Sequence, residues 1–205
     1  MINKFLKAKH WQLFILMFGI PILLQIATMI SMFSNIYINE NSGLPSMLNT
    51  FKFFPIILFI YTGLFFGWYW SIGIGLQKYI PNDIKMKMRK FKIFFFIPLI
   101  YILFILVFIG TTFYGITYGT NAVGGIAGKM ILFIVPMHIF SMFCIFYLLY
   151  FVSKTIKTAE FKRTVYFSDF IGEFFMIWFF PIGIWFLQPR INKIVCDKNT
   201  DDNNK

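Results

Sequence analysis

The sequence is poor in charged residues, and the shortage is concentrated in long blocks. Only 13% of its 205 residues are Asp, Glu, Lys or Arg, and 59% are apolar. Soluble domains usually contain about 25% charged residues. Four blocks of more than twenty residues lack all four charged types, at residues 11–33, 54–76, 94–118 and 130–152. Because a helix needs about 20 apolar residues to cross a bilayer core, the sequence predicts an all-α membrane bundle with four transmembrane helices.

Residue patterns that carry catalysis or bind metals are also scarce. The two cysteines, Cys144 and Cys196, do not form a CxxC pair. Motifs of serine hydrolases, zinc peptidases, P-loop proteins and dinucleotide-binding folds are missing. The four blocks also lack the carboxylates and arginines that coupled transporters and voltage sensors place inside the bilayer. The sequence therefore predicts a non-enzymatic protein with no catalytic, cofactor or metal site.

The number of basic residues alternates between high and low from one connection to the next. Lys and Arg number 3 before the first block, then 1, 6, 1 and 4 in the successive connections. Short connections rich in Lys and Arg stay in the cytoplasm. The pattern predicts a multi-pass protein of the cell inner membrane with a cytoplasmic N-terminus. The first block is longer than a signal-peptide core, so we interpret it as an uncleaved span.

A fifth apolar segment, at residues 171–187, is short and interrupted by Pro181 and Gly183. Arg190 follows it, and a full crossing would place this cation outside. The sequence favours a re-entrant or interfacial helical hairpin that returns to the cytoplasmic face, and a short fifth span is the alternative. We assign residues 1–195 to a single domain and predict a disordered polar tail at 196–205.

Two carboxylates stand at the start of this fifth segment. Asp169 and Glu173 are four residues apart and therefore share one helix face. Negative side chains stabilise a helix N-terminus, which is one interpretation. The other is that they pair with Lys162, Arg163 or Arg190 and fix the hairpin.

Small residues recur at four-residue spacing in the second block. They form a ridge on one helix face, where another backbone can approach closely: Gly63, Gly67, Ser71 and Gly75. Packing within one monomer and self-association into a homo-oligomer both fit this pattern.

His138 is the only ionisable Asp, Glu, Lys, Arg or His residue in the four blocks. Ser141 follows three residues later on the same helix face, and Gln25 of the first block is a candidate partner. An ionisable residue at this depth indicates a functional polar seam, although a structural hydrogen bond between helices explains it as well.

The second connection carries a cluster of cations: Lys85, Lys87, Arg89, Lys90 and Lys92. Such a face attracts the anionic headgroups of membrane lipids. It is also suited to a ribonucleoprotein or another protein effector at the cytoplasmic side.

Length, four spans, the basic cytoplasmic face and a composition rich in Phe, Ile, Lys and Asn support one resemblance. The chain resembles small multi-spanning accessory proteins encoded beside RNA-targeting CRISPR nucleases. This resemblance implies a regulator that modulates, in particular represses, the antiviral effector. It rests on layout and transfers no site residue. A small oligomeric pore and an assembly factor for a membrane complex are the alternatives.

Overall fold

A computed structural model describes residues 2–38, 54–117 and 123–203 of the chain. Within these ranges the protein is helical, with no β-strand. Four helical stretches are long and apolar enough to cross a membrane: His10–Ser34, Phe54–Tyr79, Met88–Thr112 and Leu132–Phe161. The predicted membrane helical bundle with four spans is therefore confirmed.

The N-terminal residues form a short helix, α1 (Ile2–Lys7), before the first span. The span itself is one continuous helical run made of α2 (His10–Phe14), a π-helical turn (Ile15–Gly19) and α3 (Ile20–Ile38). Pro21 explains the π turn, because its ring would clash with the carbonyl of Met17 in a regular α-helix.

The second and third spans are joined by a short irregular segment. Helix α4 (Phe54–Gly75) ends in a 3-10 turn (Leu76–Tyr79), and α5 (Met88–Thr117) follows. The sequence assigns residues 77–93 to a connection, whereas α5 already begins at Met88. Lysine and arginine favour helices, so these cations mark the end of the apolar block without ending the helix.

The fourth span, α6 (Val123–Phe161), extends nine residues past its predicted end at 152. It closes at Lys162, which has a positive φ of 55° and an N–H bonded to the carbonyl of Thr158 at 2.9 Å. Glycine usually occupies this left-handed position, so a lysine here is strained. Predictions for residues 39–53 and 118–122 lie outside the described residues.

The fifth apolar segment folds as two helices, α7 (Phe167–Trp178) and α8 (Phe180–Asn203). Glu173 and Arg190 would be about 25 Å apart in a continuous helix, yet Arg190 Nη2 lies 2.7 Å from Glu173 Oε1. The two arms therefore fold back on each other, as the hairpin interpretation predicts.

The hairpin turn lies at Phe179, two residues before Pro181. A continuous helix would force the Pro181 ring against the carbonyl of Ile177, so the helix must break here. Gly183 is required for close approach, since a Cβ at this position would overlap the carbonyl oxygen of Met176.

Helix α8 continues to Asn203, into the tail that the sequence predicts to be disordered. Residues 197–203 are polar, but they extend a helix that is already formed and need no new nucleation. This part of the tail prediction differs from the structure.

Buried side chains concentrate toward the end of the bundle where the basic segments meet. Trp68, Phe91, Ile156 and Phe170 are each at most 1% exposed. By contrast, many apolar side chains of α3 and of the first half of α6 are exposed, such as Leu23 at 67% exposure and Leu132 at 80%. In a membrane protein such surfaces contact lipid or another helix.

Candidate functional site

The basic segments converge at one end of the bundle, which we call the basic end. Lys162 Nζ donates a hydrogen bond to the carbonyl of Tyr79 at 2.6 Å, which joins the end of α6 to the 3-10 turn. Lys78, Lys162 and Lys193 line one cavity, and Lys85 and Lys154 line another. The second and fourth connections and the second arm of the hairpin therefore share this end.

Four charged side chains form an ion-pair cluster that fixes the hairpin to α6. Arg190 bonds to Glu160 through Nε at 3.0 Å and through Nη2, and Nη2 also reaches Glu173. Lys157 Nζ lies 3.0 Å from Glu173 and 3.5 Å from Glu160. Two cations thus neutralise two carboxylates, and Glu173 is buried at 5% exposure.

The pKa of Glu173 reflects two opposing effects. Burial of the carboxyl raises the pKa, but hydrogen bonds from Arg190 and Lys157 outweigh burial and lower it below its usual value. Glu173 lies outside the four candidate spans. The carboxylate is therefore ionised at neutral pH and acts as the centre of the ion-pair cluster.

Asp169 has a different position from Glu173. Its Oδ2 accepts a hydrogen bond from the backbone N–H of Tyr166 at 2.9 Å and lies 3.4 Å from Arg163. It therefore closes the first turn of α7 in a capping arrangement. Of the two predicted roles, Asp169 combines helix capping with an exposed ion pair, whereas Glu173 pairs with Arg190 and ties the hairpin to α6.

A second polar network links the hairpin to the N-terminus. Gln188 is fully buried, accepts a hydrogen bond from Trp68 Nε1 at 3.0 Å and donates to the carbonyls of Phe5 and Ala8 at 2.9 and 3.0 Å. Asn192 also donates to the Ala8 carbonyl at 3.1 Å. The last carbonyls of a helix have no partner within it, so α8 caps the C-terminal end of α1.

The small-residue ridge of α4 faces α1. A Cβ on Gly75 would lie 2.6 Å from side-chain atoms of Ile2 and Leu6, and one on Gly67 would lie 3.2 Å from the Phe5 ring. Ser71 is buried and donates to the Gly67 carbonyl at 2.7 Å. Around Gly63 there is open space. Gly67 and Gly75 thus pack inside the monomer against α1, a helix that the sequence analysis did not identify, and Ser71 between them is buried.

The three residues of the predicted polar seam are not joined by hydrogen bonds among the described residues. His138 Nδ1 lies 3.2 Å from the Tyr101 hydroxyl of α5, and the imidazole is exposed on the surface of the bundle. The Ser141 hydroxyl is buried without a partner in the described part of the chain. Gln25 lies on α3 and bonds to neither.

The predicted cationic cluster divides into two parts. Lys85, Lys87 and Lys90 line a cavity of about 280 Å³ together with Lys154 of α6, which we call the lysine pocket. Its other walls are Met86, Tyr147, Tyr150 and Phe151. Arg89 and Lys92 are exposed on the first turns of α5, outside this pocket.

A larger cavity of about 610 Å³, which we call the basic cleft, opens beside the ion-pair cluster. Its charged lining consists of four cations and one carboxylate: Lys78, Lys162, Arg190, Lys193 and Glu160. Tyr79 of the 3-10 turn and residues 80–82 also line the cleft. The cleft therefore presents an excess of positive charge at the basic end.

Two features of the basic end were missed in the sequence. The i, i+3, i+4 spacing of Ile2, Phe5 and Leu6 is typical of an amphipathic helix, so α1 could have been predicted from the sequence. The role of Gln188 could not be predicted, because its partners Trp68 and Phe5 are more than a hundred residues away in the sequence.

In the described parts of the chain, no group of three or more His, Cys, Asp or Glu residues is arranged to hold a metal ion. Comparison with known proteins gave no matching family model, no similar curated protein and no similar solved structure.

Proposed function

We propose that this chain is a non-enzymatic accessory protein of the cell inner membrane, which acts by binding a partner at its basic end. We place this end and the N-terminus in the cytoplasm, since Lys- and Arg-rich segments are retained there. The spatial convergence of these segments supports this orientation. In the proposed arrangement, the two arms of the hairpin begin and end on the cytoplasmic side.

The basic cleft is the observation that carries the proposal. Exposed Lys78 and Lys193 flank it, while Arg190 is held in position by Glu160 and Glu173. A cleft with excess positive charge attracts phosphate-bearing partners through electrostatic steering. Its walls are fixed by the ion-pair cluster and by the Lys162–Tyr79 bond, so binding requires little reorganisation.

The resemblance to accessory proteins of RNA-targeting CRISPR nucleases narrows the partner class. We propose a ribonucleoprotein effector, whose RNA backbone would contact the cations of the cleft. Binding at the membrane would then repress RNA interference by that effector.

Co-expression with an RNA-targeting, RNA-guided nuclease tests this function. We expect the chain to reduce interference with a target transcript, and Lys193→Glu to abolish most of this effect by reversing charge in the cleft. Lys92→Glu makes the same charge change on an exposed residue outside the cleft and is the matched control. No repression by the unaltered chain, or equal loss in both variants, would refute the proposal.

Three hydroxyl groups of the described spans give no support to the pore alternative. Thr28, Thr112 and Ser153 donate to the backbone carbonyls four residues earlier, at 2.8, 2.8 and 2.6 Å. The single proton of each hydroxyl is thus used within its own helix, so none of the three is available to donate to a water column. Dye leakage from liposomes that contain the purified chain would overturn this preference.

A further inference from the structure

The lysine pocket brings four cations together without any neutralising acid. Lys85 and Lys87 precede α5, Lys90 lies on its first turn, and Lys154 reaches the same cavity from α6. None of the four forms an ion pair with a carboxylate in the part of the chain that the structure describes. The pocket is separate from the basic cleft, with which it shares no lining residue.

Aromatic contacts hold the walls of this pocket in place. Phe91 stacks on Phe151 with ring centroids 4.6 Å apart, and Phe94 contacts Tyr147 at 4.5 Å. These pairs join α5 to α6 directly beside the lysines. The two helices beside the four lysines are therefore fixed around one cavity, and an anion bound in this cavity would favour the charged form of each lysine.

The pocket lies at the boundary between charged and apolar surface. On α6, exposed Ile139 and Phe143 continue the face of Tyr147 toward the middle of the span, and Lys154 follows two turns beyond it. On α5, the cations end at Lys92 and the next residue, Ile93, is exposed and apolar. Tyrosines at such a boundary are typical of the headgroup region of a bilayer.

We propose that the lysine pocket binds the phosphate group of an anionic membrane lipid, whose acyl chains lie along Phe143 and Ile139. Basic pockets between transmembrane helices on the cytoplasmic side are suited to anionic headgroups. A volume of about 280 Å³ is just below the roughly 300–1,000 Å³ typical of small-molecule sites. It therefore fits a headgroup better than a bulky cofactor. Lysine ammonium groups contact the phosphate oxygens, and the tyrosine hydroxyls supply further hydrogen bonds.

Lipid titration of the purified full chain in a non-ionic detergent tests this assignment, with bound lipid counted by native mass spectrometry. We expect phosphatidylglycerol to bind more tightly than phosphatidylcholine with the same acyl chains. The Lys87→Gln, Lys154→Gln double variant should weaken phosphatidylglycerol binding about thirtyfold, from two lysine contributions of about 1 kcal/mol each. The matched control, Lys4→Gln with Lys92→Gln, removes two cations outside the pocket and should bind as the unaltered chain does.

Two competition experiments identify the source of the phosphate. Inorganic phosphate and a short single-stranded RNA are each added at rising concentration as competitors of phosphatidylglycerol. Weak competition by both supports a lipid, whereas displacement by millimolar phosphate or by RNA would overturn the lipid assignment in favour of a soluble anion.

The unaltered chain also provides a test that needs no substitution. Equal affinity for the two lipids would refute the proposal even if the glutamine variant failed to fold. The Lys87→Arg, Lys154→Arg variant keeps both charges and should retain the preference for phosphatidylglycerol. Repression of an effector does not enter these measurements, so their failure is distinguishable from failure of the proposed function.

Discussion

The ion-pair cluster and the lysine pocket both contain cations of the basic end, but only the cations of the cluster are balanced by carboxylates. Lys157 and Arg190 contact Glu160 and Glu173, so their charges are neutralised inside the protein. The charged residues that line the lysine pocket are all cations. A cation with an internal partner stabilises the fold, whereas unbalanced cations that line one cavity indicate a binding site. Substitutions should therefore affect stability in the first region and ligand binding in the second.

The largest effect is expected from Arg190→Ala. This substitution removes the guanidinium that joins the two carboxylates and leaves Glu173 buried with Lys157 as its remaining partner. We expect the free energy of unfolding to fall by about 3 kcal/mol. This is the lower end of the range for breaking a buried ion pair, because Arg190 is partly exposed. Thermal unfolding in detergent measures it.

Arg190→Lys is the control for this prediction, since it keeps the charge but loses the two-pronged contact with Glu160. Its stability should be intermediate between that of Arg190→Ala and that of the unaltered chain. An Arg190→Ala protein as stable as the unaltered chain would show that the cluster does not hold the hairpin.

Gln188→Ala extends the comparison to the network between α8 and α1. The substitution removes the acceptor for Trp68 and the donor for the carbonyls of Phe5 and Ala8. Asn192 still donates to the Ala8 carbonyl, but Trp68 Nε1 and the Phe5 carbonyl lose their partner. Leaving such buried groups unsatisfied costs about 1–3 kcal/mol. We expect α1 to detach, which limited proteolysis at Lys7 and Lys9 detects as faster cleavage. Unchanged cleavage would contradict the capping of α1 by Gln188.

Gly75→Leu and Gly63→Leu form a matched pair on the ridge of α4. A leucine at Gly75 meets Ile2 and Leu6, whereas one at Gly63 enters open space. Overpacking costs about 1–3 kcal/mol, so we expect Gly75→Leu to reduce membrane abundance and Gly63→Leu to have little effect. If instead Gly63→Leu alone disrupts cross-linked oligomers, that end of the ridge joins subunits.

The smallest effect concerns pH. The pKa of Glu173 is lowered in the fold, so its contribution to stability is complete above the unfolded value of about 4.3. It is lost as the pH falls through the lowered pKa. Unfolding temperatures should therefore decline more steeply below pH 4 in the unaltered chain than in Glu173→Gln. Parallel declines would show that another carboxylate dominates acid sensitivity.

The sequence was informative about the membrane and less so about helix ends. Charge-free blocks predict the spans and Pro181 predicts the break, because lipid and proline each impose a strict rule on the backbone. Helices α5 and α6 extend beyond their apolar blocks through Arg89 and Lys157, since charged residues at a membrane surface remain good helix formers. The Gln188 network and the lysine pocket depend on tertiary contacts between distant segments, which no local pattern encodes.

The central claim is that both arms of the hairpin return to the basic end and that this end faces the cytoplasm. Cys196, on α8 beyond Arg190, has an exposed side chain, and Cys144 is buried. A membrane-impermeant maleimide added to intact and to permeabilised cells therefore reports on Cys196, with Cys196→Ser as the control. We expect labelling only after permeabilisation. Labelling of Cys196 in intact cells would place the end of the hairpin outside and would contradict the account.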